Sequence, residues 1–278
     1  MPDIQPSILI TGCSSGIGYH SAKVLSQRGW RVFASCRRPE DAMRLREEGL
    51  ECLQLDVDDP ASIQAALAEV LERSGGRLDA LFNNAGFGQP GAVEDISRQA
   101  MREQFETNLF GPWELTNAVL KVMRAQGYGR IVFNSSILGF AAMRWRGAYN
   151  ASKFAMEGLC DTLRHELHGT DIHVSLVEPG PIESRFRPNA LARFLKNVDI
   201  DASVHRDNYQ KQLERLKKEG HAAPFTLPAT AVAEAVWRAI SSRRPKARYP
   251  VTFPTKLYWL LRRWLPQRWY DHACRSAT

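Results

Sequence analysis

Tyr149 and Lys153 stand four residues apart, and Ser136 lies thirteen residues before the tyrosine. With a helix beginning near Tyr149, that spacing puts phenol and ammonium on one face. A free phenol titrates near 10, too high to release a proton at neutral pH, and a positive neighbour favours its ionised form. A tyrosine so placed serves as general acid or base, while a serine hydroxyl hydrogen-bonds the oxygen that gains or loses the proton. Alone, a Tyr-x3-Lys pair is weak evidence, since on an ordinary helix surface it is worth roughly a few tenths of a kcal/mol. Its meaning comes from what lies upstream.

Thr11-Gly12-Cys13-Ser14-Ser15-Gly16-Ile17-Gly18 separates an apolar run from an amphipathic one. Glycines there allow a tight turn and close approach of the backbone to a pyrophosphate, and the following helix offers unpaired N–H groups to the anion. Many dinucleotide sites place an acid at the end of the second strand for the ribose 2′-hydroxyl. This chain instead reads Ala34-Ser35-Cys36-Arg37-Arg38. A guanidinium pairs with a 2′-phosphate that a carboxylate would repel, so NADP(H) is expected over NAD(H); solvated arginines are the plainer reading of the same pair. Asp56 and Val57, ending the third strand, are candidates for the adenine amino group, whereas Asp58 and Asp59 suit a cap for the helix starting at Pro60.

The elements that must position these groups alternate regularly. Strands are expected at Ser7 to Thr11, Arg31 to Ser35, Glu51 to Leu55, Leu78 to Asn83, Gly129 to Ser135 and His173 to Glu178. Helices are expected at Gly16 to Arg28, Glu40 to Glu48, Ala61 to Arg73, Ser97 to Ala125 and Tyr149 to His168. That alternation predicts an α/β fold of the Rossmann type, a doubly wound parallel sheet whose ligands bind beyond the carboxyl ends of its strands. Residues 183–227 break the pattern and are read as a substrate lid. A helix at Ala229 to Ser241 and a last strand near Lys246 to Pro250 close a single catalytic domain of residues 1–252, followed by a basic aromatic tail at 253–278.

These residues strongly resemble the short-chain dehydrogenase/reductase family. Gly12, Gly16 and Gly18, Asn83-Asn84-Ala85-Gly86, Asn108, Ser136, Tyr149-x3-Lys153 and Pro179-Gly180 occur in family order between about Ile8 and Phe186. The resemblance implies that Tyr149 is the acid in reduction and the base in oxidation. It further implies that Lys153 lowers the phenol's pKa and binds the nicotinamide ribose, that Ser136 polarises the carbonyl, and that Asn108 holds a relay water. Ser14, Ser15 and Ile17 would join the glycines around the phosphates, Asn84 to Gly86 would line the cleft, and Pro179, Gly180 and Ile182 would cover the nicotinamide. Arg37 matches the position that marks NADP-preferring members. The Gly-rich turn, Asn83 to Gly88 and Glu178 to Ile182 look like the branch with hydroxysteroid and retinol dehydrogenases and bacterial NADP-dependent aldehyde reductases. Arg248-Tyr249-Pro250-Val251 is similar to the last of these. Glu183 departs from the family's usual small residue.

Length and charge narrow the rest. A chain of 278 residues with 44% hydrophobic content fits one large core. The five cysteines are scattered without a C-x-x-C pair, which argues against a disulfide framework or a zinc site. Met1 to Ser7 lacks a basic segment leading into an apolar run, and no uncharged stretch is long enough for a span, so a cytoplasmic protein is expected. The net charge of +7 sits in the tail, because nine Lys or Arg against one Asp follow Ser242. A nucleic-acid partner is therefore not expected. Leu138, Met143, Trp145 and Phe186 are expected around an apolar carbonyl or alcohol substrate, although ordinary packing explains them equally well. Trp259, Trp264 and Leu260 beside Arg262, Arg263 and Arg268 suit packing on the body or on another subunit, or contact with a membrane interface. By the resemblance, a homodimer or homotetramer is expected. The rival function is a catalytically silent NADP(H)-binding sensor, which would have little need for Asn108, Ser136, Tyr149 and Lys153 together.

Overall fold

Seven strands form one parallel sheet in a computed structural model that describes residues 5–221 and 223–277. The reading of the extreme N-terminus therefore lies, for residues 1–4, outside the described residues. β1 (Ser7–Ile10), β2 (Arg31–Cys36), β3 (Glu51–Gln54), β4 (Ala80–Asn83), β5 (Tyr128–Asn134), β6 (Asp171–Glu178) and β7 (Arg248–Pro250) lie in the order β3-β2-β1-β4-β5-β6-β7. The order reverses between β1 and β4, the crevice where a doubly wound sheet binds its ligand.

Alternation along the strands divides the core. Leu9 faces one layer with Phe33, Leu81, Ile131, Leu115, Val119 and Met156, whereas Ile8 and Ile10 face the other with Ala22, Leu25, Val232 and Val236. The helices behind these residues are α1 (Gly16–Gln27), α2 (Pro39–Glu47) and α9 (Thr230–Ser241) on one side, and α3 (Pro60–Ser74), α5 (Gly111–Gln126) and α6 (Gly147–Glu166) on the other. Both faces are covered, which is why the strands read as continuous apolar runs.

Three elements differ from the sequence expectation. The helix expected from Ser97 to Ala125 is α4 (Arg98–Phe105) and α5 joined by a π-helical turn, Glu106–Phe110, containing Asn108. Hydrophobic spacing does not register one extra residue per turn, and such turns recur at functional sites. Residues 183–227 hold two further helices, α7 (Phe186–Asn197) and α8 (Arg206–Lys217), outside the sheet. Many charged residues mask the helical period there. The tail, expected only as a basic aromatic segment, is two helices, α10 (Phe253–Trp264) and α11 (Gln267–Ser276); Pro266 ends the first and opens the second.

Those last helices pack on the body. Tyr270 and Cys274 join Ile137, Leu138, Phe140 and Tyr149 in one cluster, and the Tyr270 hydroxyl and Arg262 Nη1 donate to the Phe140 carbonyl at 3.0 and 3.1 Å. No helix among the described residues is long and apolar enough to cross a membrane.

Candidate active site

β5 ends at Asn134, and the chain then turns through Ser135 and Ser136 before α6 begins at Gly147. Ser136 is therefore carried by the strand end, and Tyr149 and Lys153 by the first two turns of the helix behind it. The Ser136 hydroxyl lies within hydrogen-bonding reach of the Tyr149 phenol. Lys153 Nζ is 5.7 Å from the centre of the Tyr149 ring and donates to the Asn134 carbonyl at 2.6 Å. The three side chains expected together are together, and all are buried.

Their electrostatics correct one expectation. The phenol is not acidic: burial pushes Tyr149 up to about 12, against the lowering pull of the Ser136 hydrogen bond and the Arg146 charge. Burial also pushes Lys153 down to about 8, with Glu157 opposing. Both groups resist charge because the pocket withholds water.

Asn134, which the sequence reading passed over, joins this group to the Gly-rich turn. Its side chain donates to Asn84 Oδ1 at 3.0 Å, and Asn84 Nδ2 donates to the carbonyls of Thr11 and Gly12 at 2.9 and 3.2 Å. Thr11 Oγ1 accepts from the backbone N–H groups of Asn84 and Ala85, both at 2.9 Å. A continuous polar chain thus runs from the turn after β1, across β4 and β5, to Lys153. Only its position two residues before Ser136 hinted at Asn134.

Asn108 sits buried in the π-helical turn, against the loop after β4. Its Oδ1 accepts from Phe87 N at 3.1 Å, and its Nδ2 donates to Phe87 O at 3.0 Å and Ser152 Oγ at 3.2 Å. The side chain clamps the loop after β4, with Gly86 tucked beneath it.

The residues expected around a dinucleotide fit one. Gly12 has φ +72°, and a Cβ there would meet Ala85 Cα at 2.9 Å, so the turn tolerates no side chain. Gly16, Ile17 and Gly18 open α1, and Ser15 before them makes no side-chain cap, which leaves the first N–H groups for an anion. Ser14 spends its carbonyl on Arg44. Arg37 and Arg38 are exposed, and no carboxylate among the described residues pairs with them. Asp56 holds its own turn, accepting from Asp58 N at 3.1 Å, Val57 is buried against Gly111, and Asp59 is the cap of α3. Pro179 O accepts from Ile137 N at 2.8 Å, Gly180 is packed against Thr252 and Thr255, and Ile182 bridges to Leu227. Glu183 Oε1 accepts from His221, both on the segment outside the sheet.

Of the four residues expected around substrate, three lie against the phenol or its cluster. The Phe186 ring lies 5.3 Å from that of Tyr149 and against Gly88, whose missing Cβ would sit 2.6 Å from Phe186 Cζ. Leu138 shares a buried cluster with Tyr149. Met143 packs against that same cluster, and Trp145, at φ +64°, stacks edge-on against His205 and Tyr209 of the 183–227 segment at 4.9 and 6.0 Å.

A dinucleotide cradle and a buried proton-donating group at one end of a parallel sheet define the class: a nucleotide-dependent oxidoreductase. The short chain dehydrogenase family profile matches residues 6–193. An uncharacterized oxidoreductase of Escherichia coli, YbbO, is 43% identical over 96% of this chain and 93% of its own length. A 3-ketodihydrosphingosine reductase of Bacteroides thetaiotaomicron is 33% identical over 98% of each chain. A short chain dehydrogenase/reductase of Burkholderia phymatum, solved with NAD, superposes with a TM-score of 0.79 at 26% identity over 100% of this chain and 98% of its own. The chain belongs to the short-chain dehydrogenase/reductase family.

Proposed function

We propose that the protein interconverts an aldehyde or ketone with an apolar body and its alcohol, using NADP(H). The observation that carries this reading is the gathering of Ser136, Tyr149 and Lys153 beside a turn suited to a pyrophosphate. When bound, the dinucleotide supplies the hydride that reaches the carbonyl carbon. Tyr149 gives its phenolic proton to the carbonyl oxygen, Ser136 holds that oxygen by a hydrogen bond, and Lys153 supplies positive charge to the phenolate left behind. Hydride and proton together make the alcohol; in oxidation the same groups run backwards. A phenol held protonated suits the reductive direction.

The absence of an acid after β2 and the exposure of Arg37 and Arg38 support a 2′-phosphorylated cofactor. Phe186 and Leu138 beside the phenol support an apolar body, and residues 183–227 act as a lid over it. The apolar, basic face of the tail supports peripheral contact with a membrane from the cytoplasmic side, and exposed aromatics on α5 and α6 support a homodimer or homotetramer. The test is a panel of aliphatic and aromatic aldehydes and ketones set against sugars, followed at the reduced-cofactor absorbance with NADPH and NADH. Apolar carbonyls with NADPH are expected to lead, and Arg37→Asp to cut the NADPH:NADH preference by about a hundredfold. Faster turnover of sugars, or an unchanged preference, contradicts the reading.

A further inference from the structure

Ser136 has to aim its hydroxyl proton at the reacting oxygen, and the turn that carries it begins the task. Ser136 Oγ accepts from Leu138 N at 3.1 Å, capping the short turn Ile137–Gly139. A hydroxyl oxygen engaged as acceptor keeps its proton to donate elsewhere, here toward the phenol within its reach. The direction of that proton therefore follows the placing of the turn. Its backbone is tied to β6 and the residue after it, Ser135 N donating to Val177 O and Ile137 N to Pro179 O, both at 2.8 Å.

A carboxylate holds the same turn from α6. Glu157, one turn beyond Lys153, is buried, and its Oε1 accepts from the Ser135 hydroxyl. A Cβ on Gly139 would stand 2.7 Å from Ser135 Oγ and 3.1 Å from Glu157 Oε1, so the turn is pressed onto this pair with no room for a side chain. Glu157 Oε2 is gripped in its turn by Arg248 of β7, whose Nε and Nη2 donate at 3.2 and 3.0 Å. The same guanidinium reaches Asp161 Oδ2 at 2.7 Å and Glu178 Oε1 at 3.2 Å. Three acids thus gather on one arginine. Glu178 is wholly buried, and neither of its oxygens has a hydrogen-bond partner among the described residues. Burial pushes Glu157 and Glu178 up, and the Arg248 charge pulls against both. Buried ionic clusters are often no more stable than apolar packing of equal volume, so the use of this one is sought in what it holds in place. Arg248 also opens the Arg248-Tyr249-Pro250-Val251 stretch, to which the proposed chemistry gives no part.

We propose that Arg248, Glu157 and Ser135 are positioning residues for the reaction. The guanidinium fixes the carboxylate, the carboxylate fixes the Ser135 hydroxyl and the turn that follows, and the turn aims the Ser136 proton at the carbonyl oxygen beside Tyr149. All three act through Ser136. This deepens the proposed function and rests on it.

The test is a double-mutant cycle on single-turnover reduction, by the full chain with saturating NADPH, of the fastest carbonyl in the panel above. Ser135→Ala removes one hydroxyl and leaves every charge in place; Arg248→Lys keeps the charge and gives up the two-pronged hold on Glu157. Each is expected to lower the rate about tenfold, as small misplacements of a catalytic group do, with the NADPH Kd changed by less than about threefold. In a Ser136→Ala background each is expected to cost less than about twofold, because the proton being aimed is gone. Losses that multiply with that of Ser136→Ala, a rate for either single variant within about twofold of wild type, or a loss confined to NADPH affinity overturns the proposal. Amide hydrogen exchange gives a readout that needs no turnover. Residues 135–141 are expected to exchange about tenfold faster in Ser135→Ala at an unchanged melting temperature. Unchanged exchange there overturns the proposal even if the rate falls. Faster exchange in a protein that reduces no carbonyl with NADPH or NADH keeps the positioning of Ser136 and sinks the oxidoreductase reading.

Discussion

Tyr149 and Lys153 are both pushed toward their neutral forms by the same dry pocket, and the consequences for each are opposite in use. A phenol at about 12 stays protonated throughout the physiological range, so it is always ready to donate. An ammonium at about 8 is charged at neutral pH and loses its charge as pH rises through that value. Reductive kcat/KM is therefore expected to be level near pH 7 and to fall on an alkaline limb near pH 8; a pH–rate profile that stays flat to pH 10 contradicts this assignment. Ser136, Tyr149 and Lys153 were legible because helix geometry turns a spacing of four into adjacency. The cation that acts on the phenol from outside that pair, Arg146, was not. Nothing local in the sequence says that the fold brings Phe186 of α7 onto Tyr149 and Tyr209 of α8 onto Trp145. Lys153 was expected to make the phenol acidic, but burial, which spacing does not reveal, pushes it the other way, against Ser136 and Arg146.

At the scale of elements, the strands and the flanking helices followed from apolar runs and helical periods, because burial on both faces leaves a plain signature. The π-helical turn at Asn108 left none, since one inserted residue shifts the apolar stripe without breaking it. The tail shows the same limit from another side. Composition revealed its aromatics and arginines, but which of them face the body is a tertiary matter. Tyr258, Leu261 and Tyr270 turn inward to the loop after Ser136, and Trp264 and Trp269 remain 74% and 70% exposed beside Arg263 and Arg268. Such a face suits an anionic interface. The protein is expected to sediment with phosphatidylglycerol vesicles at low salt, and a Trp264→Ser, Trp269→Ser double variant to stay in solution. Equal pelleting of the two removes the membrane contact.

For the whole molecule, the sheet sets everything else: its switch point between β1 and β4 fixes the cleft, and the ends of β1, β4 and β5 are tied by Thr11, Asn84 and Asn134 into one rigid floor. Phe110, Trp113 and Phe154 are 46%, 47% and 38% exposed on the π-helical turn, α5 and α6, large apolar side chains that a second copy of the chain would cover. Trp113→Asp is expected to lower the sedimenting mass to that of a single chain while wild type runs as a dimer or larger; a wild type that is already monomeric contradicts the proposed assembly. The central claim is that the Tyr149 phenol passes the proton while a bound dinucleotide passes the hydride. It is tested most directly by single-turnover reduction of the panel's fastest aldehyde in wild type and Tyr149→Phe, with NADPH affinity measured on both by fluorescence. The account predicts a rate loss of about a hundredfold or more at an NADPH Kd changed by less than about threefold; a Tyr149→Phe rate within about threefold of wild type would contradict it.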